Sequence, residues 1–247
     1  MDDEDSFEDE LEEIDPKEMH GEGGYATEWM EQPKMKRMFQ EIEHRLDGVL
    51  GKGQYEWVDR RVFDQVFDRS TLLAIYKLMR QGEVDTIEFP IASGKEAHVF
   101  YATSPNGPRA VKIFHTTNAV FKSLTKYIEG DPRFGGLSRR HRELVTIWVR
   151  KEHRNLKRLE NCGLQVPAAY GVYRNVLVME YLGTPQGPSP RIRDIQLQNP
   201  EAVFNELVDF MRVSWNVAEI VHADLSEYNV LSVSYTHLRA HETRHDL

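Results

Sequence analysis

The chain has 247 residues, 29% of them charged, and a formal net charge of −9. This length suits one large domain or two modest ones, and the acidic balance argues against a general nucleic-acid-binding surface. The single cysteine, Cys162, excludes an internal disulfide and a cysteine-rich zinc site. No apolar run is long enough to cross a bilayer, and the acidic start differs from the basic start of a signal peptide. We therefore expect a cytoplasmic protein that does not contact membranes.

The N-terminal part is strongly acidic, since ten of the first fifteen residues are Asp or Glu. Residues 1–58 are therefore interpreted as an acidic, mostly disordered tail, with one helix expected between Met35 and Leu50. The next segment, 59–82, is predicted to be a helical extension. Its helix is capped by Ser70, carries an apolar stripe, and ends at Gly82 in a left-handed turn.

A sheet is predicted next, with strands at 83–89, 97–102 and 109–114 separated by polar, turn-forming segments. Because side chains alternate along a strand, Ala110 and Lys112 share one face of the third strand. A lysine between buried positions is costly unless it meets an anion, which favours a nucleotide site. The alternative is an edge-strand lysine whose amine reaches water.

A loop without clear periodicity covers 116–138, and a long helix is predicted from 138 to 161. Glu152 falls on the apolar stripe of that helix, and an acidic group there requires a cationic partner. Lys112 is the candidate, since a strand lysine paired with a helix glutamate is how kinases hold the phosphate-binding lysine. The alternative is pairing with basic neighbours on the same helix.

The apolar strand 175–183 ends in a polar segment that contains glycine, which is typical of a hinge whose backbone groups bind an adenine edge; an ordinary strand exit is the alternative. A Pro- and Gly-rich connection and an amphipathic helix over 200–219 lead to the segment 222–229. There, Asp224 precedes Asn229 by five residues, the spacing of a kinase catalytic loop. Taken alone, such a pair is equally typical of turn formers, and it is the ordered partners upstream that favour the catalytic interpretation.

At this point the chain resembles the RIO family of atypical protein kinases, in its type-one branch. The resemblance rests on the following motifs: Ser93-Gly94-Lys95-Glu96-Ala97, Ala110-Val111-Lys112, Gly130-Asp131-Pro132-Arg133-Phe134, Lys151-Glu152 with Asn155-Leu156, Met179-Glu180, and His222 to Asn229. Neither a P-loop nor the Gly-rich loop of ordinary protein kinases is present.

The resemblance implies an α+β, two-lobe kinase-like fold with an N-terminal helical extension and an incomplete C-lobe. Its N-lobe and hinge would span 83–182, and a partial C-lobe with the catalytic loop would span 183–231. It also implies a serine kinase or ATPase that uses ATP and Mg²⁺ and acts in maturation of the small ribosomal subunit. The implied partners are ATP and a protein substrate or the pre-ribosomal small subunit, without direct sequence-specific contact to nucleic acid.

Roles for single residues follow from the same resemblance. Asp224 would be the catalytic base or the phosphate acceptor, and Asn229 a metal ligand. Lys112 would bind the ATP phosphates and pair with Glu152. The remaining nucleotide contacts would come from the phosphate loop and from hinge backbone groups: Ser93, Gly94, Lys95, Glu180 and Leu182.

The segment 232–247 departs from the family pattern, because it is polar, shows no strand alternation, and has its only Asp at the penultimate position. We interpret it as a foreign, non-family tail. A kinase needs a second metal ligand on the hairpin that follows the catalytic loop, so we expect the chain as written to be catalytically impaired and poorly stable. His237, His241 and His245 have helical spacing, but nothing nearby completes a metal site.

Two other functions are compatible with the catalytic loop. A small-molecule phosphotransferase of the aminoglycoside or choline kinase kind shares a His-x-Asp-x4-Asn loop, although the phosphate loop and the Gly130 to Phe134 segment favour the RIO interpretation. A non-catalytic assembly factor could instead use nucleotide occupancy as a switch on a pre-ribosomal particle.

Overall fold

The structure is a computed structural model that describes residues 33–49, 66–116, 141–184, 186–234, 237–240 and 245–246. The acidic run at the start of the chain and the loop containing Gly130 to Phe134 lie outside the described residues. The helix expected near residues 35–50 is present as α1 (Pro33–Ile42), followed by a 3₁₀ turn (Glu43–Leu46). Met38 and Ile42 of the helix and Leu46 of the turn are fully buried in the domain core.

Helix α2 (Arg69–Arg80) lies in the predicted extension. Its N-cap is Asp68, whose carboxylate accepts from the Thr71 N–H at 2.8 Å, so the predicted Ser70 cap is wrong. Asp68 has the extended backbone that an N-cap requires, whereas Ser70 already lies inside the helix. The predicted end is confirmed: Gly82 has φ +74°, and the Glu83 N–H that follows it bonds the Leu78 carbonyl.

A five-stranded antiparallel sheet follows, in the order β1-β2-β3-β5-β4. Its strands are β1 (Thr86–Ser93), β2 (Ala97–Thr103), β3 (Arg109–Phe114), β4 (Ala169–Tyr173) and β5 (Val176–Glu180). The first strand starts three residues later than predicted and extends to Ser93. The Glu83 N–H is already committed to the end of α2, so that residue cannot begin the sheet ladder.

The sheet separates two hydrophobic cores, and all of β3 is buried between them. Val111 and Ile113 belong to the core that contains α1 and α2. Ala110 belongs to the opposite core, together with residues of α3 (His141–Asn161). The predicted alternation along this strand is therefore confirmed, and it places Lys112 on the α3 side.

Short strand pairs and one helix build the remainder. A two-residue pair, β6 (Gly183–Thr184) with β7 (Gly187–Pro188), leads to a 3₁₀ turn (Ile192–Asp194) and to helix α4 (Pro200–Asn216), which is capped by Asn199. Strand β8 (Ile220–Val221) precedes the predicted catalytic loop, and β9 (Val230–Ser234) follows it. No helix in the described ranges is long and apolar enough to span a bilayer.

The segment 232–247 shows no side-chain alternation, yet its described residues lie in strands. Strand β9 continues to Ser234 and pairs with β10 (His237–Ala240), and β11 (His245–Asp246) pairs with β8. The interpretation of this segment as a non-family tail relied on side-chain alternation. A neighbouring strand offers main-chain donors and acceptors to any partner, so pairing does not require an apolar pattern.

Candidate active site

The centre of the site is an ion pair between β3 and α3. Lys112 Nζ donates to Glu152 Oε1 at 2.9 Å, and the two side chains are only 3% and 5% exposed. Such burial removes both charges from water, which is tolerated because each is compensated by the other. The sheet register and the helix stripe thus bring the predicted lysine and glutamate together. The pair holds the lysine amine at the sheet surface, where it can meet a phosphate.

The predicted phosphate loop joins β1 to β2. Ser93, Gly94 and Lys95 are all exposed, and the Gly94 N–H donates to the Ala97 carbonyl at 2.9 Å, which closes a tight turn. A Cβ atom added at Gly94 would meet only the Ala97 carbonyl oxygen, at an ordinary 3.5 Å. The backbone of the loop is therefore open to the close approach of a ligand.

The predicted catalytic loop is closed by hydrogen bonds between two of its own residues. Asn229 Nδ2 donates to the Asp224 main-chain oxygen at 2.8 Å and to Asp224 Oδ2 at 3.0 Å. The Asp224 N–H in turn donates to Nδ1 of the buried His222 at 3.3 Å. Because the Asn229 amide nitrogen is turned towards Asp224, its oxygen points away from it. The amide N–H groups thus hold Asp224, and the amide oxygen is the part of Asn229 that could ligate a hard cation.

Three sets of contacts support this loop. The Ser214 hydroxyl of α4 donates to the Ile220 carbonyl at 2.7 Å in a buried contact. On the other side, the Arg193 guanidinium lies 4.3 Å from the centre of the Tyr228 ring, and the Arg193 N–H donates to the Glu227 carbonyl. The Ser232 N–H donates to the Pro190 carbonyl at 2.8 Å. These contacts fix both ends of the loop relative to α4 and to the segment 190–194.

At the predicted hinge, two of the main-chain groups already have partners within the fold. The Glu180 N–H donates to the Ala168 carbonyl at 2.8 Å, so it is used within the fold. The Leu182 carbonyl accepts from the Ser189 N–H, whereas the Leu182 N–H meets no acceptor among the described residues. Burial, followed by the neighbouring Tyr101, raises the pKa of Tyr181, which lies between Glu180 and Leu182.

Sequence reasoning missed an apolar surface beside the lysine. Ile91, Val99 and Tyr101 are half-buried and pack on the same core as Ala110 and Met179. Val99 lies directly opposite Lys112 in the β2–β3 register, so a period-two argument applied to β2 would have found it. These half-buried apolar side chains lie on the two strands that the phosphate loop joins, where they could contact a base.

Comparisons with known proteins agree with this arrangement. The RIO domain profile matches residues 98–237. The chain is 36% identical over 227 residues to the RIO-type serine/threonine-protein kinase Rio1 of Haloferax volcanii, covering 90% of this chain and 77% of that protein. It is 36% identical over 178 residues to the human serine/threonine-protein kinase RIO1, covering 70% of this chain and 31% of that protein.

The solved structures agree on the fold. The Rio2 kinase of Chaetomium thermophilum, in an ADP/Mg²⁺-phosphoaspartate complex, superposes with a TM-score of 0.52 at 18% identity. That match covers 67% of this chain and 47% of the Rio2 chain. The protein therefore has the predicted α+β kinase-like fold, and it belongs to the RIO family, whose matching members are named serine/threonine-protein kinases.

Proposed function

We propose that this chain is an ATP-dependent RIO-type kinase or ATPase that transfers the γ-phosphoryl group of ATP. The observation that carries the proposal is the buried Lys112–Glu152 pair at 2.9 Å, on the same sheet as the phosphate loop. A buried cation fixed at an otherwise apolar sheet surface is useful where an anionic phosphate is to be bound.

The residues present suit ATP and Mg²⁺. Lys112 would bind the phosphates, with Ser93, Gly94 and Lys95 lining the phosphate loop, while Ile91, Val99 and Met179 would contact the base. Asn229 offers an amide oxygen, and oxygen donors are the ligands that Mg²⁺ prefers. The described residues contain no group of three His, Cys, Asp or Glu that could hold a metal by itself. This suits Mg²⁺, which is commonly held by one or two protein ligands and the substrate phosphates.

Asp224 is the residue we assign to the chemistry. In protein transfer its carboxylate would take the proton of the attacking hydroxyl. In the ATPase route its oxygen would attack the γ-phosphorus, the bond to the ADP oxygen would break, and water would hydrolyse the resulting phosphoaspartate. The Rio2 complex named above contains a phosphoaspartate with ADP and Mg²⁺, which supports the second route. Asn229 would hold the carboxylate in line through its amide N–H in either case.

Replacing the carboxylate tests the proposal. We expect Asp224→Asn to retain binding of Mg²⁺-ATP and to lose turnover by at least about a hundredfold, since general-base catalysis contributes about 10² to 10⁴. Lys112→Met should instead weaken ATP binding. Asp209→Asn, at an exposed carboxylate of α4, is the matched control and should change neither quantity. Full turnover by the Asp224 variant would contradict the assignment.

The physiological setting is also proposed from the family: a protein substrate or the small ribosomal subunit in maturation, in the cytoplasm. Co-sedimentation of the chain with precursors of the small subunit, with and without ATP, checks this. Phosphorylation of an aminoglycoside or of choline in preference to protein would favour a small-molecule phosphotransferase. Survival of subunit maturation with Asp224→Asn would favour a nucleotide-switched assembly factor.

A further inference from the structure

A histidine at the end of the lysine strand contacts the phosphate loop twice. The main-chain N–H of His115 donates to the Glu96 carbonyl at 2.9 Å. The ring Nε2 of the same residue lies 3.3 Å from the Gly94 carbonyl oxygen. Since a carbonyl oxygen only accepts, this contact requires the tautomer that carries hydrogen on Nε2. One residue, three positions after Lys112, is thus bonded to both the first half and the second half of the loop.

The His115 ring lies on the side of the sheet opposite the proposed nucleotide-binding face. It contacts the ring of His98 edge-on, with centroids 4.7 Å apart. His98 pairs with Ile113 in the sheet register, whereas Lys112 pairs with Val99. Alternation therefore places the histidine pair on the sheet face opposite Lys112. His115 does not share the face that meets the phosphates, so any effect it has on them must pass through the loop.

Two further contacts of the loop are main-chain bonds. The Gly94 N–H donates to the Ala97 carbonyl, and the His115 N–H to the Glu96 carbonyl. Both are kept when the side chain at position 115 is changed. The contact from Nε2 to the Gly94 oxygen is the one that a substitution removes, and it holds the exposed first half of the loop.

We propose that His115 is a positioning residue for ATP: it holds the Gly94 peptide of the phosphate loop at a fixed place relative to Lys112. This inference rests on the proposed function. Loop amides and the lysine must meet the same phosphates, so loosening the Gly94 peptide costs phosphate contacts. Contacts to the base are made by other residues, on the sheet face opposite the His115 ring, and are therefore unaffected.

The test compares two ligands on three forms of the full chain. Affinities for Mg²⁺-ATP and for adenosine, which lacks phosphates, are measured by calorimetry on the wild type, His115→Phe and His115→Gln. Phe keeps a ring against His98 but has no donor, whereas Gln retains an N–H donor. We expect His115→Phe to weaken ATP binding about threefold to tenfold, the effect of one lost hydrogen bond. Adenosine binding should be unchanged, and His115→Gln should bind ATP nearly as the wild type does.

His44→Phe, at an exposed histidine of the first 3₁₀ turn, is the matched control and should leave both affinities unchanged. Equal weakening of ATP and adenosine in His115→Phe would indicate a general structural defect and overturn the inference. So would unchanged ATP binding in that variant, or failure of His115→Gln to restore it. Absence of ATP binding by the wild type would contradict the proposed function and, with it, this inference. If the inference alone fails, the wild type still binds ATP.

Discussion

At the scale of single residues, the site depends on a charge pair that the core tolerates only when it is complete. Lys112 and Glu152 are each nearly inaccessible to water. Removing one partner from such a pair leaves a charge in a medium that solvates it poorly, and this typically costs about 3 to 5 kcal/mol. Removing both charges together avoids that cost. The stability that the pair provides can therefore be measured by comparing a single variant with the double variant.

We therefore expect Glu152→Ala to lower the free energy of unfolding by about 3 kcal/mol, measured by urea denaturation. Adding Lys112→Met to that variant should recover part of the loss, because no uncompensated ammonium group remains buried. A further decrease in the double variant would show that the lysine has another strong partner in the core.

A second residue-scale feature is the backbone of Ala223, next to Asp224. Its φ is +59°, in the left-handed region, where a Cβ atom costs about 1 to 2 kcal/mol. We expect Ala223→Gly to raise the free energy of unfolding or leave it unchanged, because glycine is unstrained there although it gains freedom in the unfolded chain. Ala202→Gly, in the first turn of helix α4, is the comparison and should lower stability by up to the roughly 0.5 to 1 kcal/mol of a helix interior. A similar loss in both variants would argue against strain at position 223.

Two histidines make stability depend on pH. Burial, followed by the nearby His115, lowers the pKa of His98 below 6.5. Burial, followed by Lys157, lowers the pKa of His153. As the pH falls through 6.5 the unfolded chain takes up protons before the folded chain does, so the free energy of unfolding decreases. The free energy that the two lowered pKa values contribute to stability is fully present above pH 6.5, and it is lost as the pH falls below that value.

The corresponding measurement is urea denaturation at pH 7.5 and 5.5. The wild type should lose stability between these values, and His98→Phe should lose less, because one of the two depressed groups is absent. An equal loss in the two proteins would exclude His98 as a contributor.

At the scale of elements, helix α2 is attached by side chains to the end of the lysine strand. Buried Asn175 donates from Nδ2 to Thr71 Oγ1 at 2.8 Å and to the Phe114 carbonyl at 3.0 Å. Thr116 adds a bond to Asp68 at 3.2 Å. The start of α2, the end of β3 and the β4–β5 turn thus meet at one buried amide, which links the N-terminal extension to the strand that carries Lys112.

Asn175→Asp tests this attachment, because a carboxylate has nearly the same shape but cannot donate. The Thr71 hydroxyl can turn to donate to the new carboxylate, but the Phe114 carbonyl is left without its donor, and we expect a loss of about 1 to 3 kcal/mol in unfolding free energy. Asn106→Asp, in the exposed β2–β3 turn, should have little effect. Equal stability of the two variants would mean that the helix is held by apolar contacts alone.

At the scale of the whole molecule, α4 exposes an apolar stripe. Phe204, Met211 and Trp215 are 64%, 47% and 52% exposed, whereas Phe210 on the same helix is 8% exposed. Large exposed apolar groups aligned on one face promote association. The stripe contributes little to the folding of the chain, since burial is what makes such groups stabilising.

Replacing Phe204, Met211 and Trp215 by serine should therefore reduce association without lowering the melting temperature. Light scattering and thermal denaturation measure the two effects. Phe210→Ala is the contrasting variant and should lower stability by about 3 kcal/mol, as expected for a buried aromatic ring. A large drop in melting temperature for the triple variant would show that the stripe is covered in the folded protein.

Some predictions depended only on local patterns, and these agree well with the structure. The body and end of α2, the alternation that places Lys112 opposite Val111 and Ile113, and the extent of β3 all follow from period and turn chemistry. The cap of α2 was predicted wrongly and the strands at 230–246 were not predicted, because a carboxylate in the preceding loop and main-chain pairing with a neighbouring strand leave little trace in the side-chain pattern.

The sequence alone determined which residues are chemically able to act, since residue type and spacing set the order of lysine, glutamate, aspartate and asparagine along the chain. Only the tertiary structure decided how they meet. Glu152 lies forty positions from Lys112 and reaches it at 2.9 Å through packing of α3 on the sheet. His115 contacts Gly94 because two strands are adjacent. Contacts of this kind depend on the register and packing of distant segments, which no local pattern records.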